Sequence, residues 1–244
     1  MARPRKSYYW WIAGKVLYGL VGLGIFLMVA FLLWRILFSG NTPDNMEQIS
    51  PNAALIEAFE AKGEALVLRT QDHEIYTRGE DNNGYFSTPR VVYIPEAAQM
   101  QVLLRYNNST LKATQKEFGL DARPSQGEIV YDVTLLSITD LTPEDASDNQ
   151  DGSENLGEVR LAPTSHTVET TKLYTYILYT FDGVTFPEDV IVTYVDIYYG
   201  GAVDYATEAY GSIRVYHRDA AWIDLALSKE EVALLTDAKN GGNK

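Results

Sequence analysis

The feature that most constrains this chain is an uncharged apolar run of 19 residues, Val16–Trp34. As a helix it would extend roughly 28 Å at 1.5 Å per residue, close to the thickness of a bilayer's hydrocarbon core. A secretory signal peptide has a shorter apolar region and ends in small residues at a cleavage site. Here the run ends in Trp34-Arg35-Ile36-Leu37-Phe38, with large side chains where a peptidase needs small ones. Tyr8, Tyr9, Trp10 and Trp11 precede the run and Trp34 closes it, the distribution of interfacial aromatic belts. The sequence therefore predicts an uncleaved anchor over residues 16–38, a basic N-terminus over 1–15, and Trp10, Trp11, Trp34 and Arg35 at the lipid interfaces. A cleaved signal peptide is the alternative. Four basic residues (Arg3, Arg5, Lys6, Lys15) precede the span, and Arg35 alone follows it closely. That bias keeps the N-terminus cytoplasmic and exports the remainder.

Charge separates the two parts of the chain. Residues 1–40 carry five basic groups and no acidic one. All 33 Asp and Glu lie beyond, against fifteen Lys and Arg, a net charge of −18. Such a domain repels phosphate backbones, which argues against nucleic-acid binding, and it avoids anionic lipid. The chain has no cysteine, which removes disulfides, thiolate nucleophiles and zinc–thiolate sites together. An exported domain of this size without a disulfide points to a bacterial envelope of Gram-positive-like type.

After a polar stretch over 39–50, expected as a stalk, the exported part over 51–240 reads as one β-rich domain. A helix is predicted over 51–62, with Ser50 at the N-cap, Pro51 at the first helical position and Gly63 past the end. Then come β-branched and aromatic runs at 65–70, 74–78, 85–94, 99–106, 127–139, 172–181, 190–199, 210–218 and 221–227. In 99–106, Met100, Val102, Leu104 and Tyr106 alternate with Gln99, Gln101, Leu103 and Arg105, the pattern of a half-buried strand. Asp81-Asn82-Asn83-Gly84 is a hairpin signal. Ser228-Lys229-Glu230-Glu231 is a capping box for a helix over 228–239. Seven to nine strands without helical crossovers predict an antiparallel β-sandwich, immunoglobulin-like in architecture, with a barrel as the competing arrangement.

Few motifs carry chemistry. The acidic loop 141–157 can be registered as a calcium loop from Ser147, which places Asn149, Asp151 and Glu158 at ligand positions 3, 5 and 12 and Gly152 at 6. Position 1 is not Asp, however, and position 8 is Glu154 where an apolar residue belongs. A solvated acidic loop needs no metal, so no cofactor is expected, calcium being the one exception the loop leaves open. His73, His166 and His217 are widely separated, and no G-x-S-x-G or phosphate-binding loop is present. Tyrosine is the enriched side chain, 17 in all. Tyr194, Tyr198, Tyr199 and Tyr210 are candidates for an aromatic binding patch, although tyrosine also fills strands by β-propensity. Asn107-Asn108-Ser109-Thr110 contains two overlapping glycosylation sequons. With no catalytic constellation legible, the first expectation is a non-catalytic anchored protein that binds or assembles with other envelope proteins. A surface glycan-binding module using exposed tyrosines, and a cell-wall polymer hydrolase with a carboxylate pair, are the alternatives.

Overall fold

A computed structural model describes residues 5–39, 42–71, 75–76, 85–128, 130–140, 156–200 and 209–241. The chain divides into two compact units, Met1–Asn41 and Thr42–Lys244. The first is a single helix, α1 (Arg5–Ser39). Its stretch Trp10–Trp34 is 25 residues long, with none of the side chains in its most apolar window buried, and is long and apolar enough to cross a membrane. Lys15 places its ammonium over the ring of Trp11, 3.8 Å from the centroid, so the one charge inside the apolar stretch has an aromatic face beside it.

The second unit is mainly β, in two antiparallel sheets. The first sheet orders β11 (Ile223–Ala226), β1 (Val67–Thr70), β3 (Ser87–Ile94), β4 (Gln99–Asn107), β8 (Tyr174–Asp182) and β7 (Ser165–Thr170). The second orders β2 (Ile75–Tyr76), β10 (Gly211–His217), β9 (Val190–Tyr199), β5 (Tyr131–Asp140) and β6 (Leu156–Leu161). Each sheet has two end strands, so neither closes into a barrel. One apolar cluster draws on both sheets: Val91, Met100, Val102, Leu104, Ile177 and Phe181 from the first, and Val133, Leu135, Val195, Ile197, Ile213 and Val215 from the second. Tyrosine supplies much of the joint. The rings of Tyr106 and Tyr131 meet edge to face at 5.0 Å, and the Tyr179 hydroxyl donates to the Tyr131 carbonyl at 3.2 Å. Burial pushes the Tyr106 phenol up to about 12, and raises Tyr131 and Tyr179 further.

Several elements differ from the sequence reading. Helix α3 (Ala53–Lys62) begins two residues later than expected, because Asn52 is the cap: its Oδ1 accepts from the Leu55 N–H at 3.0 Å. Gly63 ends it at φ 59°, where glycine is favoured. Helix α4 (Asn108–Glu117) stands where the sequence offered only sequons; Asn107 accepts from Ser109 and Thr110, and Thr110 reaches back to the Asn107 N–H. The Ser228–Glu231 capping box opens α5 (Lys229–Gly241) as expected. Strands β6 and β7 were not anticipated, since LGEVRL and SHTVET are mostly exposed and lack apolar alternation. The hairpin signal at 81–84, His73 and most of the acidic loop lie outside the described residues.

Strand β4 is not half-buried. Met100, Val102, Leu104 and Tyr106 face the shared core, but Gln99 and Gln101 on the other face are 0% and 1% exposed. The cover is the segment expected as a stalk. Met46, in the short helix α2 (Asp44–Glu47), packs with Leu103, Tyr176 and Leu178. Ile49 joins Leu55, Phe59, Val92, Ile94 and, from α5, Leu235. Between these apolar anchors runs a polar ladder. Gln101 accepts from the Ser50 N–H and donates to the Ser50 carbonyl, each at 2.8 Å, and donates to the Gln99 side chain at 2.7 Å. Gln99 donates to Asn52 at 2.8 Å and to Asp182 at 2.7 Å. Asp182 also accepts from Asn52 and from Thr164. All polar atoms of both glutamine amides are satisfied, which is what makes their burial tolerable.

Two outcomes follow for the intact chain in detergent. Met46→Ala is expected to lose about 2–5 kcal/mol in urea unfolding and to open 42–50 to added protease; unchanged stability and cleavage would mean the segment is not held. Burial works to raise Asp182, but its hydrogen bonds from Gln99, Thr164 and Asn52 win and hold it below 3.8. Its contribution is therefore present above that ordinary value and lost as pH falls through the lower folded one. Thermal midpoints of the intact chain are expected to fall more steeply below about pH 4 than those of Asp182→Asn, and parallel curves would contradict this.

Candidate functional site

Strand alternation decides where each candidate tyrosine goes. In β9, Val195 and Ile197 enter the shared core, so Tyr194, Asp196 and Tyr198 lie on the opposite face of the second sheet. That face is covered: Tyr194 is 9%, Tyr198 3% and Asp196 0% exposed. A carboxylate is rarely taken wholly out of water unless it is paired, and four strands converge on this one. Register sets Ser212 of β10 opposite Asp196, and the Ser212 hydroxyl donates to its Oδ1 at 2.6 Å. The Tyr198 hydroxyl donates to Oδ2 at 3.4 Å. Arg160, on β6, donates from Nη1 to the Tyr198 hydroxyl at 2.8 Å and places the same nitrogen 3.7 Å from Asp196 Oδ2. Its Nη2 donates to Glu158 Oε2 at 3.2 Å. Across β5, Thr134 is the register partner of Asp196.

The electrostatics of this cluster are those of a held network. Burial acts to lower Arg160, yet hydrogen bonds and charge from Tyr198 and Glu158 raise it. Burial and the neighbouring Asp196 carboxylate raise the Tyr198 phenol. One guanidinium serves two carboxylates differently: it donates to Glu158 at 3.2 Å and stands 3.7 Å from Asp196 as an ion pair. The pairing that nucleophilic chemistry needs, a hydroxyl beside a histidine base, is not formed among the described residues. His217 accepts from the Asp219 N–H, and His166 lies beside the Tyr179 ring.

Tyr199 and Tyr210 go elsewhere. Tyr199, odd-numbered in β9, points to the core side and stacks on Phe118 at 4.6 Å. Tyr210 meets Phe118 at 5.4 Å and stacks over Tyr131 at 6.3 Å. Gly211 lets Phe86 close this group, since a Cβ there would stand 3.0 Å from its ring. The four tyrosines thus form two groups on opposite faces, not one patch. Phe118, just past α4, is 37% exposed. Beside it a groove of about 660 Å³ runs along α4, lined by Tyr85, Lys112, Gln115 and Lys116. A third aromatic group joins Tyr93, Phe186, Tyr216 and Trp222, with Phe186 stacked on Tyr216 at 4.0 Å.

Of the calcium-loop residues, Asn149 and Asp151 lie outside the described residues, and Glu158 sits on β6 with its carboxylate on Arg160. No group of three or more His, Asp or Glu suited to a metal occurs among the described residues. Trp10, Trp11 and Trp34 are exposed on α1, and the Arg35 side chain lies outside the described atoms. Sequence reasoning missed Asp196, Ser212, Arg160 and Phe118. One signal was available: Asp196 interrupts VIVTYVDIYY, a run otherwise free of charge. Compared with protein-family models, curated proteins and solved structures, the chain matches none.

Ser212→Ala removes a 2.6 Å hydrogen bond to a fully buried carboxylate. It is expected to cost about 1.5–3 kcal/mol in equilibrium unfolding, and a change within a few tenths would show that the cluster does not hold the sheet.

Proposed function

We propose that this chain is a single-pass membrane protein that presents a β-sandwich, immunoglobulin-like in architecture, outside the cytoplasmic membrane of a bacterium with a Gram-positive-like envelope. Its role is non-catalytic: it binds or assembles with other envelope proteins. The observation that carries this reading is the apolar stretch Trp10–Trp34, unburied by protein and joined to a compact acidic β unit. The basic bias before the stretch supports an N-terminus inside and the β unit outside. The most buried charged cluster, around Asp196, supports a structural role, since its carboxylate is engaged by Ser212, Tyr198 and Arg160.

A second reading, glycan binding, is favoured by one observation: Phe118, stacked on Tyr199, stays 37% exposed just past α4. Aromatic faces of this kind stack on sugar rings. Under that reading the intact chain pellets with peptidoglycan and Phe118→Ala does not; equal pelleting of both, or of neither, removes it.

Because the chain has no cysteine, single-cysteine variants report topology cleanly. In intact cells an impermeant maleimide is expected to label Asp219→Cys and to leave Ser7→Cys unlabelled until the cells are opened. Labelling of Ser7→Cys alone would reverse the topology and overturn the proposal. Crosslinking in the same cells is expected to join the chain to a different polypeptide at a reproducible site; none at saturating crosslinker would argue against the assembly role.

A further inference from the structure

Among the described residues, four strands pair along one side only: β11 and β7 in the first sheet, β2 and β6 in the second. An open strand edge offers unpaired N–H and C=O groups to another strand, and proteins usually blunt such edges with charge or a short length. These edges differ in what they would do against a copy of themselves. In β11, Ile223-Asp224-Leu225-Ala226, the strand holds no basic residue to oppose Asp224 in a second copy. In β7, His166 would face Glu169, an attraction that requires a protonated imidazole. Only two residues of β2 are described.

Strand β6 is different. Its sequence, Leu156-Gly157-Glu158-Val159-Arg160-Leu161, places opposite charges symmetrically about a central valine. Val159 is 58% and Leu156 41% exposed, an apolar edge with no cover. We propose that the free edge of β6 pairs antiparallel with β6 of a second copy of this chain, about a two-fold axis at Val159. In this register Glu158 faces Arg160 of the second copy, and the reverse pair repeats across the axis. Leu161 faces Gly157, large against small, and Leu156 faces Ala162. The second sheets of the two copies join edge to edge.

The register is specified by charge. A slip of two residues in one direction sets Glu158 against Glu158; in the other it sets Arg160 against Arg160. Opposite charges across an antiparallel pair stabilise it and like charges oppose it. The side chains are also held in place before pairing: Arg160 is fixed by Tyr198 at 2.8 Å and by Glu158 at 3.2 Å, so little rotamer freedom is lost on contact. Val159 and Leu161 point to the side of the sheet where Leu135, Val184 and Val190 line a cavity of about 220 Å³, and the second copy's strand shields its mouth. A two-fold interface requires a self-complementary surface, and β6 has one. Self-association lies outside the assembly with other proteins proposed above, and its failure leaves that reading standing.

The test uses the full chain in detergent micelles. Across the axis the two Cα atoms at position 159 would be about 4.5–5.5 Å apart, within disulfide range. Mild oxidation of Val159→Cys, its only thiol, is expected to give a disulfide-linked dimer, while Asp219→Cys stays monomeric. Light scattering is expected to show a dimer for the unmodified chain and a monomer for Val159→Lys, with Glu158→Arg weakening the dimer at least tenfold. Both positions are exposed, and circular dichroism of the variants checks that the fold is retained. A monomer at every concentration overturns the proposal. So does a dimer that survives Val159→Lys, which would place self-association on another surface, α1 included.

Discussion

A primary amide taken out of water must find partners for its oxygen and both N–H bonds, or its burial costs more than it returns. Gln99 and Gln101 meet that condition only because residues 50–52 lie against them, and the rest of the first sheet depends on the arrangement. Asn52 is the pivot: its Oδ1 caps α3 and accepts from Gln99, while its Nδ2 donates to Asp182. Fixing Asn52 fixes where α3 starts, hence where Leu55 and Phe59 enter the apolar cluster that also takes Ile49 and Leu235. Arg90 of β3 adds a tie to α5 through Glu231 at 2.7 Å. The residues that follow the apolar helix are therefore part of the fold they introduce.

Much of this was legible in sequence where period and punctuation agree. The core face of β4, strands β8 and β9, and the Ser228 capping box could all be read locally, because alternation and capping are local signals. What could not be read is non-local. The second face of β4 mixes Gln99 and Gln101 with Leu103, and it is buried only because residues 50–52 and 182 bond the glutamines and Met46 covers the leucine. Edge strands β6 and β7 bury little, so they carry no apolar pattern. Helix α4 is capped by Asn107 with Thr110, where the usual box has Glu or Gln, and it was hidden behind a glycosylation pattern. The candidate tyrosines fall on two faces for a simple reason: residues 194 and 198 share a parity that 199 lacks, and parity decides the face.

The candidate site carries the same lesson toward function. Tyrosine in this domain serves first as a joint between sheets and as a hydrogen-bonding wall around Asp196. Surface chemistry is left to few residues: Phe118 beside the α4 groove, and the exposed apolar edge of β6.

Hydrogen–deuterium exchange on the intact chain in lipid nanodiscs tests most directly the claim that the segment after the apolar helix belongs to the β unit. Ser50 donates its amide to Gln101, and Leu55 donates to Asn52. Both amides are expected to exchange as slowly as those of β4 and to speed up together in Gln101→Ala. Exchange of residues 42–52 at the rate of free peptide, with β4 still protected, would show a loose stalk and contradict the account.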